Sequence, residues 1–357
     1  MTAADRHGTK RSAYLDALRV LAAFFVIVNH TNSRIFMRST PDDGVWYASM
    51  LWYYLSKTAV PLFVMISGAC LLDRRDGYRT AARRVARMLI VLLGFSYAYF
   101  LYDAWVYYGL WPRAADLGAF FALVWGREIT DSFWYLYLYL GLLVMLPLMQ
   151  RLRQGMNKRD MLYLTGVSFG VYALWPLAVH YVPALEMNAH FDLPMFGIFI
   201  GLFFAGSYVR RYVRPTRGVT AAAAGAAAAS LGLSLWLTWL EYARTGGERY
   251  WFMDERTQPS ILIVLCAVSL MIAAKDCLNG REGERTKRAL AELSGCTLTV
   301  YLLQDWLIAQ TENRLYLPLS GLMPPFAAML VWEAGLFIAL TAAAWLLRRT
   351  PLLKKIL

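Results

Sequence analysis

Charge is scarce in this chain. Only 17% of its 357 residues are Asp, Glu, Lys or Arg, while 59% are hydrophobic and the mean hydropathy is +0.41. Soluble domains run nearer half apolar and about a quarter charged, so an ordinary water-soluble enzyme is excluded. A disordered chain is excluded too, because it would be poor in apolar residues. Cysteine is equally sparse. Cys70, Cys266, Cys277 and Cys296 show no CxxC or Cys/His spacing, which argues against a disulfide framework and against a zinc site. Small apolar fillers with free thiols are the plainer reading, and no metal is expected. The charge that is present is unbalanced, with 36 Lys and Arg against 24 Asp and Glu and a net of +12. In so apolar a chain this marks cytoplasmic loops of a membrane protein rather than nucleic-acid binding.

A membrane crossing needs about 20 mostly apolar residues. Ten stretches qualify: 14–36, 46–72, 88–109, 132–150, 161–183, 191–209, 219–240, 259–274, 293–316 and 325–347. Residues 117–125 are apolar but too short to cross, and an interfacial turn is expected there. The first stretch is no signal peptide, since Asp16 and Arg19 interrupt it and nine more follow. With ten spans both termini share one side. That side carries 26 of the 36 Lys and Arg residues, against 8 on the other and two, Arg19 and Lys57, within spans. Positive residues stay on the cytoplasmic side, so both termini are expected inside. The expected architecture is an all-α integral membrane protein of the cytoplasmic (inner) membrane. A short tail over 1–13 and a basic tail over 348–357 flank a single ten-helix domain over 14–347. No repeat of halves is visible, which weakens a transporter reading. The Ala221–Ala229 stretch offers no chemical group, and close packing against a neighbouring helix is its expected role.

Ionisable groups within spans point to function by default. The first span holds Asp16, Arg19 and His30. Eleven residues separate Arg19 from His30, about three turns plus 20°, so the two share a face about 16 Å apart. Asp16, three residues before Arg19, can pair with it. The plainer alternatives are an interfacial ion pair with Arg19 snorkelling, and a packing histidine beside Asn29, Thr31 and Asn32. Yet histidine is the side chain whose ordinary pKa suits proton transfer near neutrality. Lys57 lies at similar depth, just before Pro61, and a snorkelling lysine is an equal alternative. Arg74, Arg75, Arg79, Arg83, Arg84 and Arg87 then crowd a cytoplasmic helix entry. Topology signalling explains a few of them, and guanidinium forks also suit phosphate oxygens. A phosphorylated ligand such as a nucleotide or a coenzyme A thioester is the natural match. Further on, Asp305 at mid-depth needs a partner, for which Lys57, Arg19 and His30 compete, with Gln304 and Tyr301 nearby. Glu333 and Asp103 are weaker cases. His7, His180 and His190 belong to the tail or outer edge, where solvation is expected.

These residues resemble a known family. Tyr14-Leu15-Asp16-Ala17-Leu18-Arg19, ten residues and then His30 are similar to the opening of acyltransferase family 3, polytopic membrane acyltransferases. Val60-Pro61-Leu62-Phe63 with Ile66-Ser67-Gly68 resembles the second-helix motif, and Arg84-x-x-Arg87 the basic entry to the third. Phe133-Trp134-Tyr135-Leu136 through Pro147 and Leu293-Ser294 through Tyr301-Leu302-Leu303 resemble the fourth and ninth helices. The likeness runs from about 14 to 347. Two departures stand out: Ser132-Phe133-Trp134 where members often carry a histidine before the tryptophan, and Gln304-Asp305 where they often have histidine. His30 is left as the one well-placed intramembrane imidazole.

The resemblance implies transfer of an acyl group, usually acetyl from acetyl-CoA, to a hydroxyl of a cell-envelope carbohydrate. Under it, His30 is the expected base, with Arg19 and Asp16 beside it. Arg83, Arg84, Arg87 and Arg19 are expected to hold the coenzyme phosphates. Lys57, Trp134, Tyr301, Gln304 and Asp305 are expected around the acceptor, with Lys57 or Gln304 facing the developing oxyanion. One tunnel is expected to join Arg19 to His30. The competing class is a permease that uses Asp305, Lys57 and His30 as a proton or substrate relay.

Overall fold

The computed structural model describes residues 11–109, 116–188, 191, 193, 196–246, 260–278, 280 and 282–350. His7 and His190, the arginines expected on the outer side (Arg113, Arg249 and Arg256), and most of both tails lie outside the described residues. Within them every regular element is helical and no strand occurs. In chain order the helices are α1 (Ala13–Thr31), α2 (Ser33–Phe36), α3 (Gly44–Ser56), α4 (Ala59–Leu71) and α5 (Tyr78–Tyr108). Next come α6 (Leu117–Gly126), α7 (Trp134–Gly155), α8 (Lys158–Phe169), α9 (Trp175–Tyr181) and α10 (Ile198–Tyr212). The series ends with α11 (Arg217–Thr245), α12 (Ile261–Cys277), α13 (Glu284–Thr311), α14 (Leu317–Leu322) and α15 (Pro325–Leu347).

Seven segments among the described residues are long and apolar enough to cross a membrane. They are Ala13–Thr31, Gly44–Leu71, Tyr78–Val106, Asp131–Gly155, Lys158–Tyr181, Arg217–Thr245 and Pro325–Leu347. The remaining three of the ten expected stretches are helical but of another physical kind. Helix α10 has 15 residues and α12 has 17, short for a crossing at 1.5 Å per residue. Helix α13 has 28 residues but threads Ser294, Thr297, Thr299, Gln304 and Asp305 through its apolar positions. The expected turn near 117–125 is instead the ten-residue helix α6, started by Asp116, whose carboxylate accepts from the Ala119 N–H.

The short helices are the inner ones. Gly201 to Ser207 of α10 are buried without a gap, as expected of a helix surrounded by protein. Helices α4 and α10 meet backbone to backbone. A Cβ on Gly68 would overlap the Phe203 carbonyl, and one on Gly206 would overlap the Met65 carbonyl. Small residues permit such approach, where dispersion contacts replace the missing hydrophobic drive between helices in lipid. The Ala221–Ala229 stretch packs by one face, with Ala223 buried and Ala226 and Ala227 half-buried where α11 runs along α12, and its other residues are exposed. Lys275 finishes α10 from outside, donating to the carbonyls of Val209 (2.9 Å), Arg210 (2.7 Å) and Val213 (2.7 Å). A cation at a helix C-terminus satisfies carbonyls that have no intrahelical donor.

The second expected span is broken. Helix α3 stops at Ser56, Lys57 and Thr58 form a turn, and α4 restarts at Ala59. Pro61 sits in the first turn of α4, where its missing N–H does least harm to α4 but withholds a donor from the Lys57 carbonyl. Such breaks are tolerated at membrane depth when they line a cavity.

Candidate functional site: two chambers separated by three aromatic rings

Two cavities lie along α1. One, of about 360 Å³, is lined by His30, Asn29, Lys57, Asp131, Ser132 and Trp134, among others. The other, of about 340 Å³, is lined by Arg19, Ser67, Arg84, Arg87, Tyr139 and Thr297, among others. Arg19 and His30 thus each open onto a cavity, as their shared helical face predicts. The single open tunnel expected from the sequence is not what joins them. Phe63, Tyr135 and Tyr301 line both chambers and form the partition where the two meet.

The Arg19 chamber is cationic by construction. Asp16 is 1% exposed and accepts from Arg11 Nε at 2.7 Å and Arg19 Nη1 at 3.0 Å. Arg11 also donates to the Ala291 carbonyl, which ties α1 to α13. Asp16 lines neither chamber and is joined to the Arg19 chamber through its ion pair with Arg19. Arg84 and Arg87 stand three residues apart on α5 with Met88 and Val91, so all four reach the chamber from one helix face. Arg83 points elsewhere: it is exposed and turns back to the Arg79 carbonyl at 3.4 Å. Arg83 is not among the side chains that line the chamber with Arg84 and Arg87. Asp76, in the loop before α5, pairs with Arg84 and accepts from Gln150 Nε2 at 2.9 Å. Burial works to raise the Asp76 pKa, but the hydrogen bonds from Arg84 and Gln150 outweigh it and hold the carboxyl below its ordinary value.

The His30 chamber has mixed chemistry. Its lining joins an imidazole, the Lys57 ammonium, the Glu128 and Asp131 carboxylates, and Trp134, which is 41% exposed. Lys57 reaches the chamber from the break between α3 and α4, with its Nζ 4.6 Å from the centre of the Tyr53 ring. Behind His30, Thr31 Oγ1 donates to Glu333 at 2.7 Å and Trp52 Nε1 donates to the same carboxylate at 2.9 Å. Glu333 is wholly buried and fastens the end of α1 to α3 and α15.

Two expected acceptor residues do not line either chamber. Gln304 is fully buried, and neither polar atom of its side chain finds a hydrogen-bond partner among the described residues. Asp305 is partnered, but by none of the three cations considered for it. It accepts from Thr130 Oγ1 at 2.7 Å and from Ser132 Oγ, and so sits one bond behind the chamber wall. Tyr301 and Trp134 do line the His30 chamber. His180, expected to be solvated, is bonded through Nε2 to Glu241 Oε1 at 2.8 Å. Sequence reasoning missed Ser67, Tyr139, Glu128 and Asp131. The last two could have been found from their position just before Ser132-Phe133-Trp134, since a polar run at a helix start faces whatever that helix end faces.

Searches among curated proteins and solved structures found no match. A family model does match, and it does so over nearly the entire length. The acyltransferase domain model of acyltransferase family 3 covers residues 12–349, and the chain belongs to that family.

Proposed function

We propose that the protein is a membrane O-acyltransferase. It moves an acyl group, acetyl in the first instance, from cytoplasmic acyl-CoA to a hydroxyl of an extracytoplasmic cell-envelope carbohydrate. In this reading all ten helical stretches cross the inner membrane and both termini are cytoplasmic, so the Arg19 chamber opens inward and the His30 chamber outward. The observation that carries the reading is the pairing itself: a chamber walled by three arginines abuts a chamber holding an imidazole, and a partition of three rings divides them.

Arg19, Arg84 and Arg87 take the coenzyme phosphates through charge-assisted hydrogen bonds, and the pantetheine arm runs along α1 toward the partition. The acceptor sugar rests on Trp134 with its hydroxyls toward Asp131 and Glu128. His30 removes the proton of the attacking hydroxyl as its oxygen adds to the thioester carbon. Lys57 faces the oxyanion that forms. The carbon–sulfur bond then breaks, and the departing thiolate takes the proton from His30. Products are the sugar ester and free CoA, and the enzyme returns to its starting state.

A permease relay through Asp305, Lys57 and His30 draws nothing from the geometry, because the Asp305 carboxylate is engaged by two hydroxyls behind the wall. The test follows CoA thiol release and sugar acylation in membrane vesicles that carry the protein and envelope glycans. CoA release that depends on acceptor, and is lost in His30→Ala with donor binding retained, supports the reading. Acylation undiminished in His30→Ala overturns the role of the imidazole. Uptake of a labelled solute without CoA release replaces the enzyme by a transporter.

A further inference from the structure

We infer that Phe63 sets the size of acyl group that can pass between the chambers, an inference that rests on the acyl-transfer reading above. The partition has three members, Phe63, Tyr135 and Tyr301. The rings of Tyr135 and Tyr301 meet edge to face at 5.9 Å, and that of Phe63 lies 6.0 Å from Tyr135.

The two tyrosines are tethered. The Tyr301 hydroxyl donates to the Ser132 carbonyl, and Tyr135 hydrogen-bonds Ser67, which also bonds Tyr139. Phe63 has no polar atom to tether. Its ring is held by apolar contact alone, half-buried where two of the hydrophobic clusters meet. Its backbone is nevertheless fixed, because α4 is pinned to α10 at Gly68 and Gly206. Phe63 is therefore the one member that can turn aside without breaking a hydrogen bond, while the tyrosines stay as fixed jambs.

The reaction needs such an opening. The acyl carbon must leave sulfur on one side and bond to a hydroxyl oxygen on the other, with the hydroxyl proton ending on the CoA thiolate. A gap of one ring's width between fixed jambs admits acetyl or propionyl and obstructs longer chains. A hydrophobic passage discriminates by about tenfold or more per methylene when its walls are rigid.

The test uses the full-length protein in vesicles with envelope glycans, supplied with acetyl-, butyryl- or hexanoyl-CoA, with CoA release and glycan acylation as readouts. Wild type should favour acetyl strongly. Phe63→Ala should raise the hexanoyl-to-acetyl rate ratio by about tenfold or more. Phe63→Trp should depress transfer from every donor while donor binding persists. Should Phe63→Ala fail to fold, Phe63→Leu retains most of the apolar volume and should shift the butyryl-to-acetyl ratio in the same direction. Folded variants that transfer acetyl with unchanged donor ratios would overturn the inference and leave the acyl-transfer reading standing. Absence of CoA release from every donor in wild type would overturn that reading, and the inference falls with it.

Discussion

Gly68 of α4 lies directly under the Phe203 carbonyl of α10, with no room for a Cβ between them. Gly206 of α10 meets the Met65 carbonyl of α4 in the same way. Any side chain at either position must push two backbones apart, and overpacking of this kind costs about 1–3 kcal/mol or more. Gly68→Ala and Gly206→Ala should each lower the melting temperature in detergent by about 1–4 °C. Gly225→Ala is the control, because nothing stands within 4 Å of its Cβ position. Equal melting temperatures for Gly206→Ala and Gly225→Ala would remove this contact from the account of α4 rigidity.

Asp16 holds Arg19 at its chamber while being almost wholly buried itself. Asp16→Asn removes the carboxylate and leaves both Arg11 and Arg19 without their shared partner. Because the arginine side chains are 59% and 29% exposed, water compensates part of the loss. We expect the KM for acyl-CoA to rise about tenfold with a smaller fall in kcat, since the damage is to donor binding. Donor titration at saturating acceptor measures this, and a kcat loss at constant KM would argue for a direct chemical role instead.

Asp76 predicts a pH dependence whose sign is fixed. Its pKa is depressed below the ordinary 3.8, so its pairing with Arg84 is complete above that value and fails as pH falls through the lower, folded-state value. Acyl-CoA affinity should therefore show no pH dependence from Asp76 across neutral pH and should weaken only in strong acid. Asp76→Asn should raise the donor KM at pH 7 by about threefold to tenfold and remove that acid limb. Isothermal titration with CoA across pH reads both effects.

Glu333 satisfies two donors in an apolar setting, Thr31 Oγ1 and Trp52 Nε1. Glu333→Leu leaves the Trp52 N–H unmet, at a cost of about 1–3 kcal/mol, while Thr31 Oγ1 falls back on the Ile27 carbonyl at 2.9 Å, and the helix end that carries His30 is loosened. Glu333→Gln keeps an acceptor and should retain most of the stability. The expected pattern is low melting temperature and low kcat for Leu, with substantial recovery of both for Gln. Matching losses in the two variants would mean that the negative charge, not acceptor geometry, is what counts.

Helix positions were legible because the length of an apolar run is a one-dimensional property. So was the Asp16–Arg19 pair, since a spacing of three on a helix leaves little choice. What a side chain faces across the bundle was less legible. Arg83 and Arg84 are neighbours in sequence with different fates, and only one lines the chamber with Met88 and Val91. The partners of Asp305 come from a segment about 175 residues away, and three cations offered equally good matches on paper. Gln304 looked like a substrate ligand by adjacency, yet the turn of α13 buries it away from both chambers. The aromatic partition was invisible for a different reason: it is assembled from α4, α7 and α13, and no local pattern marks three rings as neighbours.

The turn at Lys57–Thr58 has one more implication. Pro61 has no N–H to offer the Lys57 carbonyl, and Lys57 lies in the wall of the His30 chamber. No exchange of the residue at 57 can delete that carbonyl. Lys57→Ala would strip the ammonium yet keep the carbonyl, and Pro61→Ala would add a main-chain N–H at position 61 while leaving the Lys57 side chain untouched. Main-chain polarity and side-chain charge at this one position can thus be varied independently of each other.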